Sequence, residues 1–190
     1  MELLWYDIRQ LDEETMAQTM AMMDEARRRR VSDIAGEDDR KRTVAGELLA
    51  RRALAQRLGC GEGEAPLRWD DTGKPAVDAD GVYVSVSHSG PYAVCAVADV
   101  PVGVDVEVVR SADEKFMRRV CSEAEMAYIR VGDDGDCARF WEIWTAKESL
   151  FKLTGKGPLL TLSQLALPEG VVLDHIREKG CALTTALRLR

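Results

Sequence analysis

Hydrophobic and polar positions follow two different periods along this chain. Glu2 to Ile8 reads as a first strand. Asp12 then suits a helix N-cap, followed by Glu13 and Glu14, where the helix dipole favours acids. Leu11 and Met16 sit at the two positions of a hydrophobic staple. Met16, Met20 and Met23 recur at helical spacing and read as core, so one helix is expected to run to the cations at Arg27–Arg30. A second helix is expected from about Asp39 to Leu58, with Val44, Leu48, Leu54 and Leu58 as its apolar stripe and Gly59 as its stop. Residues 59 to 81 are rich in Gly, Asp and Pro and read as loop. Three strand-like runs follow at Val82–Ser87, Tyr92–Ala98 and Val102–Val108. The turns at Ser89–Pro91 and Asp99–Pro101 suggest an antiparallel meander.

The second half has the same grammar in weaker form. Ser122 with Glu125 fits a capping box at the start of a short helix. Asp133 to Asp136 reads as loop, Ala138 to Leu153 as a clear helix ended by Gly155, and Leu173–Arg177 with Cys181–Leu189 as a closing hairpin. The expected class is therefore mixed α+β: two pseudo-symmetric halves, 1–100 and 101–190, each an antiparallel sheet packed with helices. Arg29-Arg30-Val31 and Arg118-Arg119-Val120 recur ahead of comparable helices. An internal duplication would put the active site in the cleft between the halves.

Composition narrows the chemistry. The chain of 190 residues is 46% hydrophobic and 31% charged, a globular balance that needs no disulfides to build a core. The most apolar stretch, Tyr92 to Val104, contains Asp99 and Pro101, so no membrane helix is expected. The N-terminal residues are acidic and polar within ten positions, unlike a signal peptide. Five cysteines occur with no Cys-x-x-Cys pair, which suits a reducing cytoplasm and argues against a thiolate zinc site. With only His88 and His175 as imidazoles, any metal should be held by carboxylates, which favours Mg²⁺, Mn²⁺ or Ca²⁺.

Net charge is −7, but it is unevenly spread. Residues 27 to 57 hold ten cations against five acids, so that segment is positive and the remainder strongly negative. A basic patch on an acidic chain suggests an anionic ligand or partner, or simply solvated helix faces.

Two segments could carry chemistry. In a strand over Val102–Val108, Val104 and Val106 face one way while Asp105 and Glu107 face the other. Two neighbouring carboxylates are tolerated if solvated, cross-paired with cations, or bridged by a metal. On the helix over Ala138–Leu153, Trp144, Glu148 and Lys152 stack along one face, with Lys147 beside Trp144. Such a Glu–Lys pair is often only helix support, but a third carboxylate could complete an oxygen site begun by Asp105 and Glu107. Thr72-Gly73-Lys74-Pro75 and Ser85–Ser89 offer further handles for phosphate, although neither is a Walker A loop, and Gly155-Lys156-Gly157 is not one either.

Taken in order, these pieces resemble the 4′-phosphopantetheinyl transferases of the longer, single-chain class with two pseudo-symmetric halves. The resemblance rests on Gly73-Lys74-Pro75, Ser87-His88-Ser89, Gly103-Val104-Asp105-Val106-Glu107, and Trp144-Thr145-Ala146-Lys147-Glu148-Ser149-Leu150-Phe151-Lys152. It covers roughly residues 27 to 160. It implies transfer of the phosphopantetheine arm of coenzyme A to a serine of an apo acyl or peptidyl carrier protein, with release of adenosine 3′,5′-bisphosphate. It implies Mg²⁺ (or Mn²⁺) on Asp105, Glu107 and Glu148, with Glu148 as base and Lys152, together with Lys147, neutralising the pyrophosphate. Arg27, Arg30, Arg42, Lys74, Pro75, Ser87 and His88 would hold the nucleotide end of coenzyme A. Glu125 would be an auxiliary acid near the metal. Nucleic acid and membrane partners are not implied, and a duplicated chain would act as a monomer.

Three rival readings remain. Asp105-x-Glu107 superficially suits a Mg²⁺-dependent nuclease or phosphatase, although Val109 stands where the nuclease pattern wants Lys. A nucleic-acid module would interleave aromatics with its cations, and residues 27 to 57 contain none. A non-catalytic protein that binds coenzyme A or a carrier would need the same surface without the chemistry.

Overall fold

A computed structural model describes residues 1–131, 137–155 and 167–189. The expected loop at Asp133–Asp136 and the Lys156-Gly157 pair lie outside the described residues. The chain forms two compact units, Met1–Pro101 and Val102–Arg190, and is mixed α+β throughout.

In the first unit, strand β1 (Glu2–Asp7) leads into helices α1 (Glu13–Ala21), α2 (Glu25–Ser32) and α3 (Glu37–Leu58). Strands β2 (Leu67–Trp69), β3 (Pro75–Val77), β4 (Tyr83–Ser89) and β5 (Tyr92–Ala98) follow. Asp12 caps α1 as expected, its carboxylate accepting from the Thr15 amide at 2.7 Å. Leu11 and Met16 join one apolar cluster with Met20, Met23, Val31, Val44 and Leu48. The single helix expected from Asp12 to Arg30 is two. The first ends at Ala21 with Met22 as its C-cap, and Asp24 caps the second, accepting from the Arg27 amide at 2.8 Å. A capping side chain inside a helical period outweighed the methionine spacing.

The segment 59–81 is not all loop. β2 and β3 pair antiparallel, with Trp69 opposite Pro75. Three-residue strands with proline at one end leave too short an alternation to read from sequence. β4 and β5 form the expected hairpin. The third strand of the expected meander, however, does not join them. β5 already has β1 on its other edge, in the order β1-β5-β4, so no backbone donors remain there for Val102–Val108. The long helix α3 packs on this sheet through Ala45, Leu49, Ala53 and Leu54, against Val84, Ala93, Cys95 and Val97. Gly46 marks the closest approach, since a Cβ there would lie 2.8 Å from Val86 Cγ1.

The second unit begins with β6 (Val102–Val108), followed by α4 (Glu114–Val120), α5 (Glu123–Val131) and α6 (Ala138–Thr154). It closes with β7 (Val171–Glu178) and β8 (Cys181–Arg188). Lys179 and Gly180 both take positive φ, the requirement of a tight two-residue hairpin turn. β6 adds to the free edge of β8, giving the order β6-β8-β7. Each unit thus consists of a C-terminal hairpin, an earlier strand paired to the hairpin's second strand, and one long helix on the sheet. In the second unit the apolar side of α6 is aromatic: Phe140 is fully buried against Trp141, Trp144 and Phe116. Leu150 packs with Val171 and Ala186.

Candidate active site

The second unit brings the acidic residues together through one glycine. A Cβ at Gly103 would lie 2.0 Å from the Ser149 carbonyl oxygen and 2.7 Å from the Leu153 amide nitrogen. Only hydrogen fits, so the α6 backbone lies directly on β6. Asp105, two residues along, shares that face. It is 5% exposed, and Lys152 Nζ donates to its Oδ1 at 2.8 Å. Val104 and Val106 are fully buried on the opposite face. β6 therefore has no solvated polar side near its centre. For Asp105, that removes the reading of a solvated carboxylate on a half-buried strand; Glu107 is partly exposed.

Glu148 stands one helical turn before Lys152. Its Oε1 is buried and has no hydrogen-bond partner among the described residues. Its pKa is pushed up to about 7, first by burial, then by the charge of Asp105, with Glu107 adding and Lys152 opposing. Glu107 is held at Oε2 by Arg110 Nη1 at 3.1 Å. Arg110 in turn stacks over Trp141, whose indole N–H donates to the Arg110 carbonyl at 2.7 Å.

Three coupled carboxylates, with Glu148 Oε1 buried and unsatisfied among the described residues, are donors of the type a hard divalent cation takes. Among the described residues, no three Asp, Glu, His or Cys side chains converge closely enough to enclose an ion. Asp105, Glu107 and Glu148 offer oxygen donors of the chemistry that suits a Mg²⁺ completing its shell with water and phosphate oxygens, without forming a closed three-ligand cage.

Lys147 and Glu125 are committed to each other. The nearly buried Lys147 ammonium donates to the Val120 carbonyl at 2.6 Å and to Glu125 Oε2 at 2.7 Å. That same oxygen accepts from the Ser122 amide at 2.7 Å, and Ser122 Oγ accepts from the Glu125 amide at 3.2 Å. The expected capping box is therefore present, and it doubles as the anchor of Lys147. This ties the junction of α4 and α5 to α6.

The nucleotide-end candidates all lie in the first unit, in three groups. Arg42 Nη1 donates to the Gly90 carbonyl at 2.8 Å and Nη2 to Asp39 Oδ1 at 2.5 Å. Asp39 is held below the usual carboxylate range chiefly by that bond, with a smaller contribution from His88. Arg42 also lines a pocket of about 340 Å³ with Arg9, Lys41, Asp38, Ile8 and Pro91. His88 is exposed at the end of β4, while Ser87 is buried.

The second group is the turn after β2. Asp70 Oδ1 accepts from the Thr72 amide at 2.9 Å, the Thr72 hydroxyl at 2.7 Å and the Lys74 amide at 2.9 Å. Arg30 clasps this turn from α2, reaching Asp71 Oδ1 at 3.0 Å. Lys74 is exposed beside the partly buried Pro75. In the third group, Arg27 stacks over Trp69 at 3.9 Å and lies 3.6 Å from Glu47 Oε2.

Sequence reasoning missed Glu47, Trp69 and Arg110. The Glu47–Arg51 spacing of four was a readable hint of an ion pair, and Arg110 stands three residues after Glu107. Nothing in the sequence marked Trp69.

Two family models match the chain. One describes the 4′-phosphopantetheinyl transferase superfamily and covers residues 101–173. The other describes the N-terminal part of a 4′-phosphopantetheinyl transferase and covers residues 10–100. Among individual proteins, the chain is 34% identical over 126 residues to the 4′-phosphopantetheinyl transferase gsp of Aneurinibacillus migulanus, a match spanning 66% of this chain and 53% of that protein. It is 26% identical over 164 residues to the 4′-phosphopantetheinyl transferase Sfp of Bacillus subtilis, spanning 85% and 73%. It is 30% identical over 128 residues to the 4′-phosphopantetheinyl transferase HetI of a Nostoc strain, spanning 63% and 54%. The chain thus spans only about half the length of some of the curated relatives it matches. The two models meet at residues 100 and 101 and run together over both compact units, and on that evidence the chain belongs to the 4′-phosphopantetheinyl transferase superfamily.

Proposed function

We propose that this protein transfers the 4′-phosphopantetheine arm of coenzyme A to a serine hydroxyl of an apo acyl or peptidyl carrier protein. The other product is adenosine 3′,5′-bisphosphate. The observation that carries this reading is the meeting of Asp105, Glu148 and Lys152 on β6 and α6, residues of the two most specific motifs of the family.

The chemistry follows from the residues. The serine oxygen forms a new bond to the phosphorus nearest pantetheine, and the bond from that phosphorus to the bridging oxygen breaks. The serine proton needs an acceptor. Glu148, with a pKa near 7, can hold it at neutral pH. Charge develops on the departing phosphate oxygen, and the Lys152 ammonium is the cation positioned to offset it. Phosphoryl transfer needs positioning and electrostatics rather than a covalent enzyme intermediate. A Mg²⁺ held by Asp105, Glu107 and Glu148 would neutralise and orient the pyrophosphate when bound. Arg27, Arg30, Arg42, Lys74, Pro75, Ser87 and His88 are the candidates for the nucleotide end, and the cation-rich pocket beside Arg42 supports an anionic ligand there. Lys147 and Glu125 support the site through their mutual ion pair rather than by direct contact with coenzyme A.

No described helix is long and apolar enough to cross a membrane. All five cysteines are free thiols, which suits action in the cytoplasm.

The test is intact mass spectrometry of an apo acyl carrier protein and an apo peptidyl carrier domain incubated with this protein, coenzyme A and Mg²⁺. The expected result is a gain of the phosphopantetheinyl mass, abolished by EDTA. Asp105→Asn and Glu148→Gln should stay folded and lower the rate by roughly 100-fold or more. A fully active Glu148→Gln would remove the base assignment.

A further inference from the structure

We infer that Glu47 is a positioning residue for the phosphate-bearing ligand: it fixes Arg27 so that one edge of the guanidinium faces protein and the other is left for an anion. The inference rests on the proposed reading that Arg27 meets coenzyme A.

Glu47 is fully buried on α3. A buried carboxylate without partners is expensive, so its surroundings show what it is for. Arg51, one turn along α3, donates from Nε to Glu47 Oε1 at 2.7 Å, and its Nη1 reaches the Glu62 carbonyl at 3.3 Å. That pair holds one carboxylate oxygen in place. The other oxygen, Oε2, faces Arg27 Nε at 3.6 Å, an ion-pair distance without a hydrogen bond. The Arg27 guanidinium carbon also lies over the Trp69 ring, 3.9 Å from its centre. The ring contact restrains the guanidinium from one side, and Glu47 holds its Nε edge inward.

The two terminal nitrogens of Arg27 make no hydrogen bond with any described residue. Burial disfavours the Arg27 charge, and Glu47 is the main group opposing that effect. Two arginines and one carboxylate leave the trio one positive charge in excess, at the member whose donors are unspent. A restrained guanidinium whose two terminal nitrogens are left over is the arrangement that takes a phosphate with two parallel hydrogen bonds. An arginine needs no buried acid merely to sit on a tryptophan. The acid earns its place if the orientation of the outer edge matters.

The test uses the full chain and reads KM for coenzyme A against kcat in the carrier-modification assay. Glu47→Gln is expected to raise KM roughly tenfold with kcat nearly unchanged, since a misaligned charged contact forfeits about 1.4 kcal/mol. Glu47→Asp keeps the charge but shortens the reach. It is expected to fold even if Glu47→Gln does not, and to raise KM in the same direction. The decisive comparison is the double variant. In an Arg27→Met background, the added substitution at Glu47 should leave KM where Arg27→Met alone puts it. A KM that stays at the wild-type value in Glu47→Gln or Glu47→Asp overturns the inference, and so does a full additional rise in the Arg27→Met background. A wild-type protein that transfers nothing from coenzyme A overturns the functional reading instead, and this inference with it.

Discussion

Glu148 is asked to do two incompatible things by its position. It lies among carboxylates in a half-buried cluster, which favours the protonated form, yet the role proposed for it, metal ligand or base, requires losing that proton. The tension has a measurable sign. In the folded chain Glu148 keeps its proton up to about pH 7, against a reference value of 4.5. Between those values the folded state binds the extra proton, so the neutral form's stability is lost as pH rises toward 7. Glu148→Gln cannot ionise and escapes that loss. In EDTA, the Tm of Glu148→Gln should exceed that of wild type by roughly 3 °C more at pH 8 than at pH 5. A Tm difference that does not change with pH would show that Glu148 is not destabilised by its neighbours. Lys147 gives a contrasting prediction. Removing its buried ammonium in Lys147→Met leaves Glu125 Oε2 with only the Ser122 amide, and stability should fall by about 3 kcal/mol in chemical denaturation. Loss of transfer at unchanged stability would return Lys147 to the role of a pyrophosphate contact.

At the scale of elements, the acid cluster depends on how closely a helix can lie on a strand. Gly103→Ala would drive its Cβ into the Ser149 carbonyl, a backbone group fixed inside α6. Stability is expected to fall by about 3 kcal/mol, and the transfer rate should fall further than unfolding explains, because Lys152 is carried away from Asp105. Gly46→Ala is the milder case: its Cβ would meet a methyl of Val86 at 2.8 Å, a side-chain and not a backbone atom, and alanine's helix preference offsets part of the crowding. It should cost about 1 kcal/mol, less than Gly103→Ala. Much of this layer was legible beforehand. Asp12, Leu11 and Met16 predicted the start of α1, Ser122 and Glu125 the start of α5, and valine alternation the run of β6. The misses share a cause. Whether Val102–Val108 pairs with β5 depends on β1 having taken that edge, a partner nearly a hundred residues earlier that no local period encodes. In the same way, the site motif contained Gly103 as a letter, but its reason lies on α6, across a contact between β6 and α6 that spacing along the chain does not reveal.

Across the whole molecule, two groups of candidate site residues fall in different units. The cations suited to a nucleotide's phosphates, Arg27, Arg30, Arg42, Lys74 and the exposed His88, belong to Met1–Pro101. The carboxylates suited to a divalent ion, with Lys152, belong to Val102–Arg190. The division is one of placement and not of net charge: the first unit holds 19 acids against 13 cations, and its positive charge is concentrated in residues 27 to 57. It also separates recognition from chemistry in a way that titration can resolve. Adenosine 3′,5′-bisphosphate, the proposed product, carries the nucleotide end without the pantetheine arm. Its binding to the full chain by calorimetry should need no Mg²⁺ and should be indifferent to Asp105→Asn. Arg42→Ala should weaken it roughly tenfold, as expected for the loss of a charge-assisted contact, and rising salt should weaken it further. Turnover of coenzyme A should instead respond to both Arg42→Ala and Asp105→Asn, the first through KM and the second through kcat. If the bisphosphate binds only with Mg²⁺ and loses affinity in Asp105→Asn, recognition is not confined to the cations of the first unit, and the division of labour argued from their placement is wrong.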